Sequence, residues 1–251
     1  MRLLTLTLGL LSVWQGVVSV TGVPSYILPG PLPVFRALWE HFDVLGTHLA
    51  ITLVEILAGL FIGTVLGCIC ALSMIISPHL KRWMQPVLVI SQAIPVFALA
   101  PILVLWLGYG MTSKIAMAVL IIFFPVAASF YQGLRRTDQD VQELARIMGA
   151  SLFSTLRLIV IPGAMPALAA GLRVAAAVAP IGAVVGEWVG SSAGLGYYML
   201  HANARMQIDK MFAALALLSA ASLVLYFFID FIMDKIIYWE KTKELRYAEV
   251  D

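Results

Sequence analysis

The chain has 251 residues, 61% hydrophobic and only 12% charged, with a formal net charge of +2. A soluble domain carries about a quarter charged residues, so a soluble globular enzyme is excluded and lipid is indicated as the solvent. The small net charge says little about partners, and nucleic acid is not expected among them.

The apolar runs are continuous rather than alternating. They therefore argue for membrane-spanning helices and against a transmembrane barrel, which makes the expected fold an all-α polytopic membrane protein. Six segments approach the roughly 20 apolar residues that cross a bilayer: 3–20, 49–76, 86–107, 115–131, 164–185 and 211–233.

The first segment, after Met1 and Arg2, also resembles a signal peptide, with small residues near Ser19 imitating a cleavage site. Retention as a span is expected, because such peptides rarely precede polytopic chains. The second segment holds Glu55, the stripe Gly59, Gly63 and Gly67, and the two cysteines Cys68 and Cys70. Residues two apart on a helix point in different directions, so no disulfide is expected. With no neighbouring His or carboxylate cluster, no metal site is expected either. The third segment contains Pro95 and Pro101, the fourth Pro125 and the fifth Pro180, each a potential kink. The fifth also carries Arg173, Glu187 near its end, and the stripe Gly171, Ala175, Ala179 and Ala183. Small stripes let helix backbones approach closely in lipid. Ordinary bundle packing is their expected role, with a moving interface as the alternative.

Intramembrane charges are costly and are functional candidates by default. Glu55, placed near the outer end of its span within reach of water, Arg173, midway along the fifth, and Glu187 are thus candidate pathway or gate residues. Arg173 suits either a carboxylate partner or an anionic ligand. His41, His48 and His79 fall in loops or span ends and are read as solvated.

Lys and Arg cluster on one side. With a cytoplasmic N-terminus, the inside segments hold Arg2, Lys81, Arg82, Arg135, Arg136, Arg146 and Arg157, and the tail adds Lys235, Lys241, Lys243 and Arg246. Outside lie only Arg36, Lys114, Arg205 and Lys210. Both termini should be cytoplasmic, and so should the stretch between the fourth and fifth spans.

That stretch, QELARIMGASLFSTLRLIVIP, is amphipathic. Asp140 with Glu143 has capping-box spacing. Val141, Leu144, Ala145 and Met148 share one helical face, and Gly149 suits a helix stop. Ser151 or Ser154 can start a second helix, with Leu152, Leu156 and Ile159 on its apolar stripe and Pro162 at its end. Such an elbow can lie on lipid or dock in a groove of another protein.

The same stretch resembles the E-A-A loop of binding-protein-dependent ABC transporter permeases: Glu-Ala-Ala, three residues, Gly, nine residues, then Ile-x-Leu-Pro. Here it reads Glu143-Leu144-Ala145, Gly149, and Ile159-Val160-Ile161-Pro162, with both spacings intact. Leu144 replaces an Ala and Ile161 a Leu. The resemblance implies a type I importer permease fold of about six spans whose cytoplasmic coupling helices sit in a cleft of an ABC ATPase. It also implies coupling roles for Glu143, Leu144, Ala145, Gly149, Ile159 and Pro162. The expected partners are two ATPase copies, an extracytoplasmic solute-binding protein and a second copy of the chain, in a bacterial inner membrane. Residues 1–44 would form the first span and its loop, 45–233 the transport core, and 234–251 a cytoplasmic tail. The runs ILPGPLPVFRAL and GEWVGSSAGLGYYMLHANARMQIDKMFAALALL resemble the branch importing taurine, alkanesulfonates, nitrate and thiamine pyrimidine precursors, nearest the hydroxymethylpyrimidine type.

No G-x-x-x-x-G-K-[ST] phosphate loop occurs. The chain itself is expected to hold no cofactor and to leave ATP to its partner. Two rivals remain: an ion-coupled transporter using Glu55 or Glu187, although no inverted repeat is visible, and a hydrolase built on Gly190-Ser191-Ser192-Ala193-Gly194 with His201. The latter lacks the strand-to-helix context and the acidic partner that a nucleophile elbow needs. Its glycines read better as a turning loop, with Trp188, Tyr197 and Tyr198 at interfacial depth.

Overall fold

The structure is a computed structural model and describes residues 2–239. Met1 and the tail cations Lys241, Lys243 and Arg246 lie outside that range. Every regular element among the described residues is helical. In chain order they are α1 (Arg2–Thr21), α2 (Pro31–Glu40), α3 (Phe42–Ile76), α4 (Pro78–Ala93), α5 (Val96–Leu107), α6 (Met111–Arg135), α7 (Gln139–Ile147), α8 (Leu152–Thr155), α9 (Ile161–Gly190), α10 (Leu195–Ala204) and α11 (Ile208–Ile236).

Four stretches are long and apolar enough to cross a membrane: α3, α6, the run Leu152–Gly190 and α11. The expected third span, 86–107, is not one straight helix. It becomes α4 and α5, which meet at 103°. Ile94 precedes Pro95, and the proline ring pushes the residue before it out of the helical region; Ile94 is extended, at φ −83° and ψ 121°. Pro101, Pro125 and Pro180 lie inside continuous helices. The expected set of six therefore resolves into four clear spans, one bent pair, and the 20-residue helix α1.

Part of the segment after α1 is the helix α2, with proline in its first turn, where its missing N–H costs nothing. Val34 and Ala37 are buried on one face of α2. Trp14 of α1 stacks on Phe212 of α11 at 6.0 Å.

The core is built on α6, which lies between α3 and α9. The small residues make this approach possible. A Cβ on Gly63 or Gly67 of α3 would lie 2.8 Å or 2.9 Å from Ile122 or Val126 of α6. On the other side, a Cβ on Gly171 would meet the Pro125 carbonyl at 2.8 Å, and Ala175, Ala179 and Ala183 are fully buried. The glycine and alanine stripes thus pack the bundle interior. Without a hydrophobic drive between helices in lipid, close backbone contact of this kind supplies the association energy.

Candidate functional site

The elbow between α6 and α9 is defined by local hydrogen bonds. Its first helix starts two residues earlier than the capping-box spacing suggests. Asp138 is the cap, and its carboxylate accepts the Asp140 N–H at 2.9 Å. Asp140 lies inside the first turn, so the Asp140–Glu143 box does not form; Glu143 sits within the helix with its side chain exposed. Gln142 Nε2 donates to the Thr137 carbonyl at 3.1 Å, tying α7 to the end of α6.

α7 ends at Gly149, as its sequence position implies. Gly149 has φ +81°. The Gly149 N–H donates to Arg146 O at 2.9 Å, and the Ala150 N–H to Ala145 O at 2.9 Å. This bond pair is the Schellman motif, which needs a left-handed residue at the glycine position. Ser151 then caps α8, accepting the Ser154 N–H at 3.2 Å.

Pro162 does not end the second elbow helix. The chain continues helically from Leu152 to Gly190, passing through a π stretch, Leu156–Val160, directly before the proline. Proline cannot donate to the residue four positions back, and the wider π turn absorbs that missing bond. The second elbow helix and the fifth span are therefore one helical rod, roughly 58 Å long at 1.5 Å per residue.

The elbow leaves a row of apolar side chains uncovered. Ile147 is 83% exposed, Met148 78%, Leu152 82% and Phe153 70%. Leu144 is also exposed, whereas Ala145 is buried and Ile159 and Pro162 are half-buried. Ala145, Ile159 and Pro162 thus shape the elbow from within, and Glu143, Leu144 and Gly149 face outward. Ile147 and Phe153 fall outside the helical stripes in the sequence; the available signal was their position flanking Gly149. A cleft of about 540 Å3 separates the elbow from the ends of α3 and α6, lined by Ile76, Arg135, Gln142, Arg146, Leu152 and Leu156.

The opposite end of α9 holds a second polar cluster. Glu55 is 1% exposed, so it does not reach water as its sequence position suggested. The helix α3 begins at Phe42, well before the apolar run, and places Glu55 deep against α6 and α9. Its carboxyl adjoins that of Glu187, with Lys114 nearby. Lys114 reads from sequence as an extramembrane charge, yet it is buried, its ammonium donating to the carbonyls of Tyr109 at 2.9 Å and Gly110 at 3.0 Å. Glu187 is buried too, and its Oε1 accepts from Thr52 Oγ1 at 2.6 Å. His48 is not freely solvated: its Nδ1 accepts the Gly194 N–H at 3.0 Å, and its ring lies 5.4 Å from that of Tyr198.

Arg173 belongs to neither cluster. Its guanidinium donates to Asp230 at 2.5 Å and Asp234 at 2.9 Å, joining α9 to α11. The carboxylate partner, one of the two expectations, is the one present. The Gly190–Gly194 run is a turn between α9 and α10. Ser191 Oγ bonds both the carbonyl and the N–H of Ala193, and His201 lies against Tyr197 at 4.2 Å. That placement on a helix-to-helix turn removes the strand-borne serine that a hydrolase would use.

Residues 63–237 match the family model described as "binding-protein-dependent transport system inner membrane component". The chain belongs to this family of ABC transporter permeases. A "probable ABC transporter permease protein" of Haemophilus influenzae is 53% identical over 229 residues, covering 91% of this chain and 94% of that one. The formylaminopyrimidine transport permease protein ThiX of Halalkalibacterium halodurans is 37% identical, covering 92% and 93%. The riboflavin transport system permease protein RibX of Chloroflexus aurantiacus is 36% identical, covering 94% and 90%, and the taurine transport system permease protein TauC of Escherichia coli is 30% identical, covering 89% and 86%. The solved structure of an amino acid ABC transporter superposes with a TM-score of 0.64 at 17% identity, covering 81% of this chain and 97% of that one. The permease is therefore a transport subunit with the importer permease fold.

Proposed function

We propose that this permease forms the membrane pathway of an ATP-driven importer and takes its energy from a separate ABC ATPase docked at the elbow. The observation that carries this reading is the exposed apolar row Ile147, Met148, Leu152 and Phe153, set at a defined angle by the Gly149 turn. An apolar row on rigid short helices suits insertion into a protein groove. Glu143 is left out of the helix cap and points outward, free to meet donors on the ATPase.

Each chain presents one elbow, so two copies of the permease would engage two ATPases, and an extracytoplasmic binding protein would deliver the solute. The elbow, with Arg135, Arg136, Arg146 and Arg157 around it, faces the cytoplasm together with both termini, in a bacterial inner membrane. Transport follows alternating access: ATP closes the ATPase pair, the elbow moves, and the rod Leu152–Gly190 carries that movement across the bilayer.

The solute is a small polar heterocycle of the hydroxymethylpyrimidine type. Support comes from the resemblance of residues 186–218 to that branch and from the 37% identity to a permease named for formylaminopyrimidine. The same machinery importing taurine, a sulfonate or nitrate is the second reading, favoured by the 30% identity to a taurine permease. The deciding experiment is uptake into cells expressing the permease with its ATPase and binding protein. Saturable accumulation of hydroxymethylpyrimidine that taurine does not compete supports the first reading, and the reverse pattern selects the second. ATP-dependent uptake that vanishes on collapse of the ion gradient alone would overturn the ABC mechanism.

A further inference from the structure

The start of α10 is capped by other helices. An α-helix leaves its first four N–H groups without intrahelical partners, and a side chain at the cap position normally accepts from them. In α10 that position is Gly194, which has no side chain and φ +104°. All four N–H groups are nevertheless bonded. The Gly194 N–H donates to His48 Nδ1 at 3.0 Å and the Leu195 N–H to Thr52 Oγ1 at 2.8 Å. The N–H groups of Gly196 and Tyr197 donate to Glu187 Oε2 at 2.5 Å and 3.3 Å.

His48 and Thr52 lie one turn apart on α3, and Glu187 lies near the far end of α9, so two helices share the cap. They are also tied directly, by the Thr52 hydroxyl on Glu187 at 2.6 Å. The glycines make room for the carboxylate. A Cβ on Gly194 would overlap the Glu187 carboxyl carbon, and one on Gly196 would lie 2.8 Å from Oε2.

We infer that His48, Thr52 and Glu187 are positioning residues that latch α10 as a gate at the membrane face opposite the elbow, and that the latch opens when α3 and α9 part. A cap divided between two helices holds only while both keep their spacing. Glu187 and Leu152 stand on one unbroken helical stretch, so a displacement of the elbow reaches the latch along a single segment, through the π turn and past Pro166 and Pro180. The inference rests on the elbow being the ATPase dock.

Hydrogen–deuterium exchange on the assembled transporter, with ATPase and binding protein, tests it. Amides 194–197 should exchange at least tenfold faster in the vanadate-trapped ATP state than in the nucleotide-free state, while those in the middle of α6 stay unchanged. Equal exchange in both states of a complex that still hydrolyses ATP overturns the latch and leaves the elbow reading intact. Failure of the ATPase to bind takes both down. Thr52→Val should raise exchange at 194–197 in the resting state and increase ATP hydrolysis in the absence of binding protein severalfold, and Thr52→Ser should restore both. Faster exchange in Thr52→Val with unaltered ATPase activity would make the cap structural only and also overturn the proposal.

Discussion

A methyl group built on Gly59 would lie 2.4 Å from the Cβ of Ala118, and on the other side of α6 a methyl on Gly182 would lie 2.7 Å from the Ala118 Cα. Ala118 is thus held between two glycines of two different helices, and this contact sets the spacing of α3, α6 and α9. Gly59→Val or Gly182→Val should destabilise the permease by about 1–3 kcal/mol through overpacking. Gly46→Ala, on the same helix α3 with nothing within 4 Å of its Cβ position, is the control and should be neutral or slightly stabilising. Thermal unfolding in detergent separates the two outcomes, and equal melting temperatures for Gly59→Val and wild type would contradict this packing.

At the elbow, the strain of a side chain on Gly149 comes from the backbone alone, since nothing lies within 4 Å of its Cβ position. A β-branched residue in the left-handed region costs about 1–2 kcal/mol or more, whereas asparagine is tolerated there. Gly149→Val should leave the permease inserted but reduce ATPase co-purification and uptake at least tenfold, and Gly149→Asn should retain most of both. Equal losses in the two variants would show that the turn conformation is not what the ATPase recognises.

The exposed apolar row makes a complementary prediction. Phe153→Ser and Ile147→Ser remove side chains that the isolated permease leaves uncovered, so its own stability should shift by no more than about 0.5 kcal/mol. ATPase binding should fall sharply in both, and in Glu143→Arg as well. Quantitative pull-down alongside melting curves is the measurement, and normal ATPase binding in both serine variants would remove the elbow from the interface.

Arg173 tests pairing against solute contact. Its bonds to Asp230 and Asp234 are partly exposed, the side chains being 30% and 38% accessible. Screening then places the contribution between a surface and a buried pair, at about 1–2 kcal/mol. Arg173→Met should lower the melting temperature, and adding Asp230→Asn should cost less than the sum of the two single changes, because the second removes a charge that the first left unpaired. A higher KM for uptake with unchanged melting would assign Arg173 to the solute instead.

The sequence by itself determined the features that depend on neighbours along the chain. Continuous apolar runs made the protein helical and membrane-bound, the Glu143-to-Pro162 spacing outlined the elbow, and Gly149 marked its turn, because caps and helical faces involve residues only a few positions apart. Even there, two local competitions go against the simple pattern: Asp138 takes the cap from Asp140, and the π turn carries the helix past Pro162. Only the tertiary structure decided the rest. Thr52 meets Glu187 across 135 residues and Leu195 across 143, and Arg173 meets Asp230 across 57. Lys114 and Glu55 leave the water that their sequence positions suggested because α3, α6 and α9 pack closely enough to bury both. Hydropathy records how much charge a segment carries; which helix supplies its partner is set by the close backbone approach that the glycines of α3 and α9 allow against α6.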